Sequence, residues 1–319
     1  MFHYEPKELS VPEVHKLLLG GVAPRPIALA STVSKDGINN LSPFSFFNAF
    51  GANPPVVAFS PSRRGTNASL KDTYNNLMEI NECVIQAVTH SMIEQVSLAS
   101  AEYPPDVDEF VKSGLTPIDS DLVRPKRVKE SPFQMECKLL EMKSFGQGNA
   151  SANLAICEVL MFHVSEDIFT DEVIDPSKID LVARMSANYY ARASAGVFIV
   201  EKPIGKKCIG YDQIPLHIRQ SEAYSANDLG KFGNSESIPS DEEIGSFIKN
   251  IKENKLNQFK HGYGAFLRYQ RLGDHRKMLK AALMNKENQK NNIELAAKCA
   301  LKNNDIDFAW RVAIFAGNY

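Results

Sequence analysis

The pattern of apolar positions changes once along the chain, near residue 203. Before that point, apolar residues fall in short runs rich in Val, Ile and Phe that are separated by turn signals, which indicates β-strands. The strands predicted in this way are 27–33, 55–60, 83–88, 133–143 and 154–164, together with a returning strand and loop over 38–50. Asp36-Gly37 predicts a hairpin between the first two strands, since both residues tolerate positive φ. Strands at this spacing predict a sandwich or a barrel.

Helical signals are few in the first part of the chain and dominate the second. Helices are predicted over 72–80, with Asp72 or Thr73 as N-cap, and over 91–100, where Ser91 and Glu94 have capping-box spacing. Beyond residue 203, helical periodicity appears over 244–255, 277–284, 293–301 and 308–316, without an internal repeat of convincing period. We therefore predict two domains, a β-rich domain 1–203 and a mostly helical region 204–319.

Charge and cysteine usage narrow the class of protein. The 319 residues carry a net charge of −2, so no global basic field exists to attract nucleic acid or an anionic membrane. The five cysteines contain no CxxC pair and suit a reducing cytoplasm. No run of about 18 apolar residues occurs. We expect a cytoplasmic protein without a bound metal, a nucleic-acid partner or a membrane segment.

The densest candidate chemistry lies between residues 23 and 73. Small donors and acceptors at strand ends suit the polar edge of a planar heterocycle and a sugar-like chain; they are Ser31, Thr32, Ser45 and Asn48. Donors and positive charge follow within twelve positions, at Ser60, Ser62, Arg63, Arg64 and Lys71. The predicted helix starts there, and its free amides and dipole favour an anion, for which phosphate is the simplest choice. The alternative interpretation is ordinary strand hydroxyls beside a solvated arginine loop.

Five motifs together make the chain resemble a known family. They are PRPIALAST at 24–32, NLSPFSFFNAF at 40–50, NPP at 53–55, the pair SRR at 62–64 and KDT at 71–73, and RMSANYY at 184–190. With these motifs the chain resembles the flavin reductase-like family with the FMN-binding split-barrel fold, which includes flavoredoxin-type proteins. The resemblance covers roughly residues 12–203.

The resemblance implies a mainly β fold, a six-stranded antiparallel Greek-key barrel with short helices, and a homodimer with FMN near its interface. It implies that Ser31 and Thr32 contact the flavin or its ribityl chain. It further implies that the isoalloxazine ring is lined by Ser45, Phe46, Phe47 and Asn48, and that the phosphate is held by Ser60, Ser62, Arg63, Lys71 and Thr73.

The resemblance also suggests residues for the reactive face, although no catalytic residue follows with certainty. Arg184 and Tyr190 would approach the ring face or the nicotinamide side. Ser186 and Ala187 stand where the family usually has two glycines, so their Cβ atoms would narrow the space for a nicotinamide. His163 stands where relatives often have a histidine, and a structural role and a role in the site both remain open.

Three functions fit these observations. The favoured one is an NAD(P)H:flavin oxidoreductase that transfers a hydride from NADH or NADPH to flavin N5 and supplies reduced flavin to a partner monooxygenase. The second is an FMN-bearing electron carrier that exchanges electrons with a redox protein without using NAD(P)H. The third is a flavin-binding module without turnover. The region 204–319 lies outside the resemblance, and we hypothesise that it caps the barrel, covers the flavin mouth or docks a partner.

Overall fold

The computed structural model describes residues 1–198, 200, 207–253 and 263–319. They form two compact units, Met1–Ile199 and Val200–Tyr319. The predicted domain boundary at residue 203 lies outside the described residues, as do the last two positions of the predicted helix 244–255. Among the described helices, none combines the length and apolarity needed to span a membrane.

The first unit is built mainly from antiparallel strands. The strands are β1 (Ala28–Val33), β2 (Asn39–Phe44), β3 (Phe47–Ala52), β4 (Pro55–Phe59), β5 (Glu82–Gln86), β6 (Pro117–Ile118), β7 (Arg127–Val128), β8 (Phe133–Ser144), β9 (Asn153–Val164), β10 (Phe169–Thr170), β11 (Val173–Ile174), β12 (Val182–Arg184) and β13 (Tyr190–Arg192). The helices are α1 (Val11–Gly21), α2 (Asp72–Ile80), α3 (Ile93–Leu98), α4 (Glu109–Ser113) and α5 (Pro176–Ile179). Short 3-10 turns occur at Pro6–Glu8, His90–Met92, Glu166–Ile168 and Ala193–Gly196.

Seven of the strands form one sheet, in the order β2-β1-β5-β8-β9-β4-β3. Its two outermost strands, β2 and β3, are joined by only Ser45 and Phe46, so the sheet must curl back on itself into a barrel. The backbone amide of Ser60 donates to the Phe46 carbonyl, 2.9 Å away, and ties this link to the end of β4. The segment 38–50, predicted as a strand and a loop, thus holds β2 and most of β3, because its two halves pair with different strands, β1 and β4. The sheet therefore has seven strands rather than the implied six.

Strand β1 is buried along its whole length because its two faces cover different cores. Ala28 and Ala30 face the barrel interior, which also contains Phe59 and Leu77. Leu29 faces a second core beneath α3 and α4. Both faces are therefore apolar, which explains why the sequence of β1 is a nearly continuous apolar run rather than an alternating one.

Three helix starts differ from the sequence-based expectation. The N-cap of α2 is Lys71, whose backbone is extended, so Asp72 and Thr73 are already helical. The predicted helix 91–100 is a 3-10 turn followed by α3, and the expected capping box at Ser91 does not form. Helix α1 was not predicted, because none of its residues is buried, although Ser10 and Glu13 form a capping box.

The second unit is helical. Its helices are α6 (Leu216–Arg219), α7 (Ala226–Gly233), α8 (Asp241–Glu253), α9 (Tyr263–Arg271), α10 (His275–Met284), α11 (Gln289–Lys302) and α12 (Ile306–Ala316). They enclose their own core, which includes Trp310, the only tryptophan of the chain. The indole Nε1 of Trp310 donates to Ser235 Oγ, 2.8 Å away, so its polar atom is satisfied inside the core.

Two helical hairpins of this unit resemble each other at their turns. The hairpins α9–α10 and α11–α12 have the same turn, a left-handed residue followed by an aspartate that caps the next helix. In the first turn these are Gly273 and Asp274, and in the second Asn304 and Asp305, each 31 residues later. Sequence inspection does not reveal this similarity, because the two hairpins share backbone geometry at these positions while most of their side chains differ. For example, Phe266 corresponds to Ala297 and both are buried.

Candidate functional site

The loop between β4 and α2 is shaped by two arginines. The Arg63 guanidinium donates through Nη1 to the Ala68 carbonyl at 2.8 Å, and Arg64 Nη1 donates to the Leu70 carbonyl at 2.6 Å. Arg64 Nη2 also lies 3.3 Å from the Asp72 carboxylate. The Arg64 side chain therefore holds the loop against the start of α2, and its role is structural.

Unsatisfied positive groups remain at the end of that loop. The Lys71 ammonium is partly buried and makes no hydrogen bond or salt bridge to any residue that the structure describes. Burial, and next the neighbouring Arg64, lower the pKa of Lys71. Arg63 Nε is buried without a hydrogen-bond partner. An unpaired buried cation is costly, so this corner is suited to an anion.

Helix α2 adds backbone donors at the same place. Its first amides, those of Asp72 and Thr73, have no acceptor among the described residues, and Lys71 makes no side-chain cap. Ser60 and Ser62 follow β4, and their Oγ atoms are 2.9 Å apart. The hydroxyls, the amides of α2 and the two cations supply the donors that a phosphate group accepts.

Two of the predicted ligand residues are part of a buried network behind this corner. The Asn40 amide oxygen accepts from Thr32 Oγ1 at 3.1 Å and from Thr73 Oγ1 at 2.8 Å. The Asn40 amide nitrogen donates to Glu109, which also accepts from the backbone amide of Leu41. Burial raises the pKa of Glu109. Thr32 and Thr73 thus join β1, β2, α2 and α4, and their hydroxyls are already used inside the protein.

Ser31 is also enclosed. It is fully buried on β1, and its Oγ donates to the Lys126 carbonyl at 2.5 Å and lies near the side-chain amide of Gln86. The predicted contact of Ser31 with a flavin has no support in this arrangement, because the hydroxyl has its partners within the barrel wall.

The link between β2 and β3 presents the remaining predicted residues. Asn48 is exposed and Phe46 is about one-third exposed, whereas Phe47 packs partly against the barrel core. Ser45 Oγ lies 3.4 Å from Arg25 Nε, and the Arg25 guanidinium carbon lies 5.9 Å from the centre of the Phe46 ring. This segment therefore exposes one polar side chain and part of one aromatic ring, and both features suit the binding of a planar heterocycle.

Arg25 itself was missed by the sequence analysis, although it lies in the PRPIALAST motif. It is buried, and its Nη1 donates to the carbonyls of Leu19 and Val22 at the end of α1, while Nη2 donates to the Met185 carbonyl. Burial, and next the nearby Arg184, lower the pKa of Arg25. Arg25 joins α1, the β2–β3 link and the turn after β12. The feature of the sequence that could have identified Arg25 is its position between two prolines.

Arg184 and Tyr190 face each other in the hairpin β12–β13. The Arg184 guanidinium lies 4.5 Å from the Tyr190 ring centre and donates to the Ala187 carbonyl. Ala187 has φ +47°, in the left-handed region that favours glycine. A glycine, the family's usual residue at this position, would adopt this backbone conformation more easily and would also leave more space above the flavin.

His163 forms a structural pair. Its Nε2 lies 2.7 Å from Oε1 of Glu136, which is fully buried and also accepts from the amides of Asp121 and Leu122. The carboxylate of Asp121, Glu136 and the His163 ring have ligand atoms within 4.8 Å of one another, a grouping that could hold a metal ion. The Glu136 oxygens, however, already accept these backbone amides.

Comparisons with known proteins agree with this architecture. Residues 20–189 match the family model of the flavin reductase like domain. An uncharacterized protein of Aquifex aeolicus is 37% identical over 188 residues, which span 59% of this chain and 93% of that protein.

Two solved structures are similar over most of the first unit. Nitrilotriacetate monooxygenase component B from Bacillus cereus is 30% identical with a TM-score of 0.59, over 62% of this chain and 98% of that one. A protein with a split barrel domain from Shewanella frigidimarina is 26% identical with a TM-score of 0.55, over 64% of this chain and all of that one. The barrel, with its match to the family model over more than half of the sequence, identifies this chain as a member of the flavin reductase-like family, with the split-barrel fold.

Proposed function

We propose that the protein is a flavin reductase that binds FMN and uses NADH or NADPH as the electron donor. The observation that carries the proposal is the positive corner at the start of α2, where the Lys71 ammonium and Arg63 Nε have no hydrogen-bond partner among the described residues and Lys71 has only the Phe44 ring centre at 5.9 Å. A dianionic phosphate supplies the charge that this corner lacks. FMN has such a phosphate and riboflavin does not.

The residues on either side of that corner fit the rest of FMN. Lys71, Arg63, Ser60, Ser62 and the free amides of α2 would hold the phosphate. Ser45, Phe46, Phe47 and Asn48 would line the isoalloxazine ring. We do not assign Ser31, Thr32 or Thr73 as direct ligands, because their hydroxyls are bonded within the protein. Thr32 and Thr73 would instead position the first turn of α2.

The bound flavin would supply the hydride-accepting atom, N5, and the protein would bind and orient the reactants. In this proposal Arg184 and Tyr190 lie on the nicotinamide side, held by their mutual contact. Reduced flavin would then pass to a partner monooxygenase, since a component of nitrilotriacetate monooxygenase is among the similar structures. We further propose a cytoplasmic location, in which the five free thiols stay reduced.

We also propose a homodimer. Strand β3 lies at one edge of the sheet and leaves five of its six residues exposed, including Phe50. Leu140 of β8 and Phe162 of β9 are exposed large apolar residues on the same sheet. An uncovered edge strand and exposed apolar residues on the same sheet are typical of a protein that pairs with a second copy.

The test compares FMN with riboflavin. Lys71→Ala and Arg63→Ala should each weaken FMN binding by about 1.5–3 kcal/mol, the usual loss for a charge-assisted contact, and leave riboflavin binding nearly unchanged. Lys129→Ala, an exposed lysine of the same unit, is the control. Fluorescence titration of the full chain measures both affinities, and equal losses for both flavins would contradict the phosphate assignment.

Anaerobic addition of NADH and then NADPH to the flavin-loaded protein tests the reductase activity. Bleaching of the visible flavin bands by one donor supports the reductase and identifies its donor. A flavin-bearing electron carrier is the second candidate. It is favoured by Ser186 and Ala187, whose Cβ atoms stand where the family usually has two glycines and would narrow the space for a nicotinamide. Bands that persist with both nucleotides and bleach with dithionite would support the carrier.

A further inference from the structure

A polar cavity lies in the helical unit, remote in sequence from the flavin reductase-like domain. It has a volume of about 420 Å³, within the range of small-molecule sites. Helix α6, the segment after it and the first turns of α11 form its walls, through His217, Gln220, Ser221, Ala223, Asn291 and Glu294. Gly317 packs against His217, since a Cβ at Gly317 would lie 2.7 Å from His217 Nε2.

Glu294 is the exceptional residue of this cavity. It is only 6% exposed, yet its carboxylate forms no hydrogen bond or salt bridge to any residue in the described ranges. A buried carboxylate without a partner is strongly unfavourable, so such groups are normally paired. Because Glu294 lines the cavity, a ligand in the cavity can supply the missing partner.

The surrounding groups do not neutralise Glu294. Lys298, one turn further along α11, donates to the Ala223 carbonyl at 2.6 Å and lies 3.6 Å from the Asp228 carboxylate. The Tyr224 hydroxyl is buried without a hydrogen-bond partner. Burial raises the pKa of Tyr224, and the negative charges of Glu294 and Asp228 raise it further. Lys298 is therefore paired with Asp228, which leaves Glu294 without an ion pair.

The donor set favours an organic cation over a metal ion. No three metal-binding side chains of the cavity, among those described, bring their ligand atoms within 4.8 Å of one another. Gln220 and Asn291 instead line the same cavity, and a side-chain amide oxygen can accept from an N–H donor. Two exposed residues of opposite charge, Glu222 and Lys290, also line it.

We propose that this cavity binds an alkylammonium or alkylguanidinium group, with Glu294 as its counter-ion. Such a group brings several N–H donors and one positive charge, which a single buried carboxylate and neighbouring amide oxygens can satisfy. It belongs either to a free small molecule or to a lysine or arginine side chain of another polypeptide. None of its lining residues belongs to the flavin and nicotinamide sites proposed above.

The first experiment titrates the full-length protein with n-butylammonium and n-butylguanidinium and follows the Ala223 methyl group by NMR. We expect saturable shifts of that methyl signal with at least one cation and none with the neutral isostere 1-butanol. The absence of a saturable shift with both cations, or an equal response to 1-butanol, would overturn the proposal.

Variants test the role of Glu294. Glu294→Gln, which removes the charge and keeps the shape, should weaken cation binding by at least about tenfold, the lower end for a lost charge-assisted contact. Glu242→Gln, at an exposed glutamate of α8, is the matched control and should bind like the wild type. Unchanged binding by a folded Glu294→Gln variant would overturn the assignment.

A second pair of variants is needed in case Glu294→Gln does not fold. Asn291 is exposed at the cavity and precedes Glu294 by three residues on α11, so the two side chains share a helix face. Asn291→Arg should place a guanidinium against Glu294 and block n-butylammonium binding, whereas Asn291→Gln should not. Equal binding by both variants would count against the proposal.

The source of the cation is then decided with acetyl-Gly-Lys-Gly-amide. Tighter binding of this peptide than of n-butylammonium assigns the site to a basic side chain of a partner polypeptide. Equal or weaker binding assigns it to a free small molecule. Either result retains the cation site, because the peptide and n-butylammonium share the same charged group.

Discussion

Arg25 is a single buried side chain that hydrogen-bonds to several elements around the candidate site. Its partners are uncharged, and two of them are carbonyls at the C-terminal end of α1, where the helix dipole favours a cation. The third is the Met185 carbonyl, in the turn that follows β12. Because Nε also lies 3.4 Å from Ser45 Oγ, the three guanidinium nitrogens reach three separate elements, and a side chain with a single nitrogen cannot replace them.

We therefore predict that Arg25→Met destabilises the first unit by about 2–4 kcal/mol, because three partly buried carbonyls lose their charged donor. Arg25→Lys should recover only part of this loss. Urea denaturation followed by far-UV circular dichroism measures it. Arg124→Met is the control, since Arg124 is exposed. A similar urea midpoint for the Arg25→Met and Arg124→Met variants would contradict the conclusion that Arg25 holds these elements together.

At the scale of elements, the hairpin β12–β13 depends on an ion pair at its base. The Arg192 guanidinium donates to both carboxylate oxygens of Asp180, at 2.8 and 2.7 Å, and Ser194 Oγ also donates to Asp180. These hydrogen bonds lower the pKa of Asp180 from 3.8 to about 2. The hairpin carries Arg184 and Tyr190, so its order bears on the reactive face of the site.

Acid should loosen this hairpin. Because the pKa of Asp180 is lower in the folded protein than in the unfolded chain, its contribution to stability is present above about pH 4 and is lost as the pH falls toward 2. Amide hydrogen exchange at Tyr190 and Arg192 should therefore accelerate relative to the β8 and β9 amides over that range. Asp180→Asn should remove the pH dependence, and an unchanged pH profile in this variant would contradict the mechanism.

Two glycines of α7 provide a matched test of packing in the helical unit. A Cβ at Gly233 would lie 3.1 Å from the backbone carbonyl carbon of Gly210, whereas a Cβ at Gly230 would have nothing within 4 Å. Gly233→Ala should cost about 1–3 kcal/mol, as overpacking does. Gly230→Ala should be neutral or stabilise the helix by up to about 1 kcal/mol. Thermal unfolding measures both, and equal midpoints would show that the Gly210 backbone yields without cost.

At the scale of the whole molecule, the two units have separate hydrophobic cores. Each could therefore unfold on its own. The only tryptophan, Trp310, lies in the helical core, so tryptophan fluorescence reports on that unit alone. Flavin fluorescence would report on the barrel.

We expect added FMN to raise the midpoint of barrel unfolding by mass action and to leave the Trp310 transition unchanged. Thermal melts followed at the two wavelengths, with and without FMN, measure this. Riboflavin, which lacks the phosphate, is the control ligand and should produce a smaller rise. A Trp310 transition that moves together with the barrel transition would show that the units unfold as one.

The sequence predicts most of the barrel strands because their faces are buried and their turns contain Asp-Gly or proline. It does not predict α1, which has no buried face, or the break at Ser45–Phe46, which only the closure of the sheet explains. For the site, the positive corner at Lys71 was predictable from charge spacing. The buried roles of Ser31, Thr32 and Thr73 were not, because strand sequence does not say which polar side chains find partners across the barrel.

The 31-residue spacing of the helical hairpins has a consequence for the evolution of this unit. Each hairpin packs mainly against its sequence neighbours, α10 against α9 and α11, and α12 against α11. A duplication or loss of 31 residues would move a whole hairpin and preserve both the left-handed turn residue and the aspartate cap. Relatives that carry this unit should therefore differ in length by whole hairpins, while the barrel in front of it keeps its size.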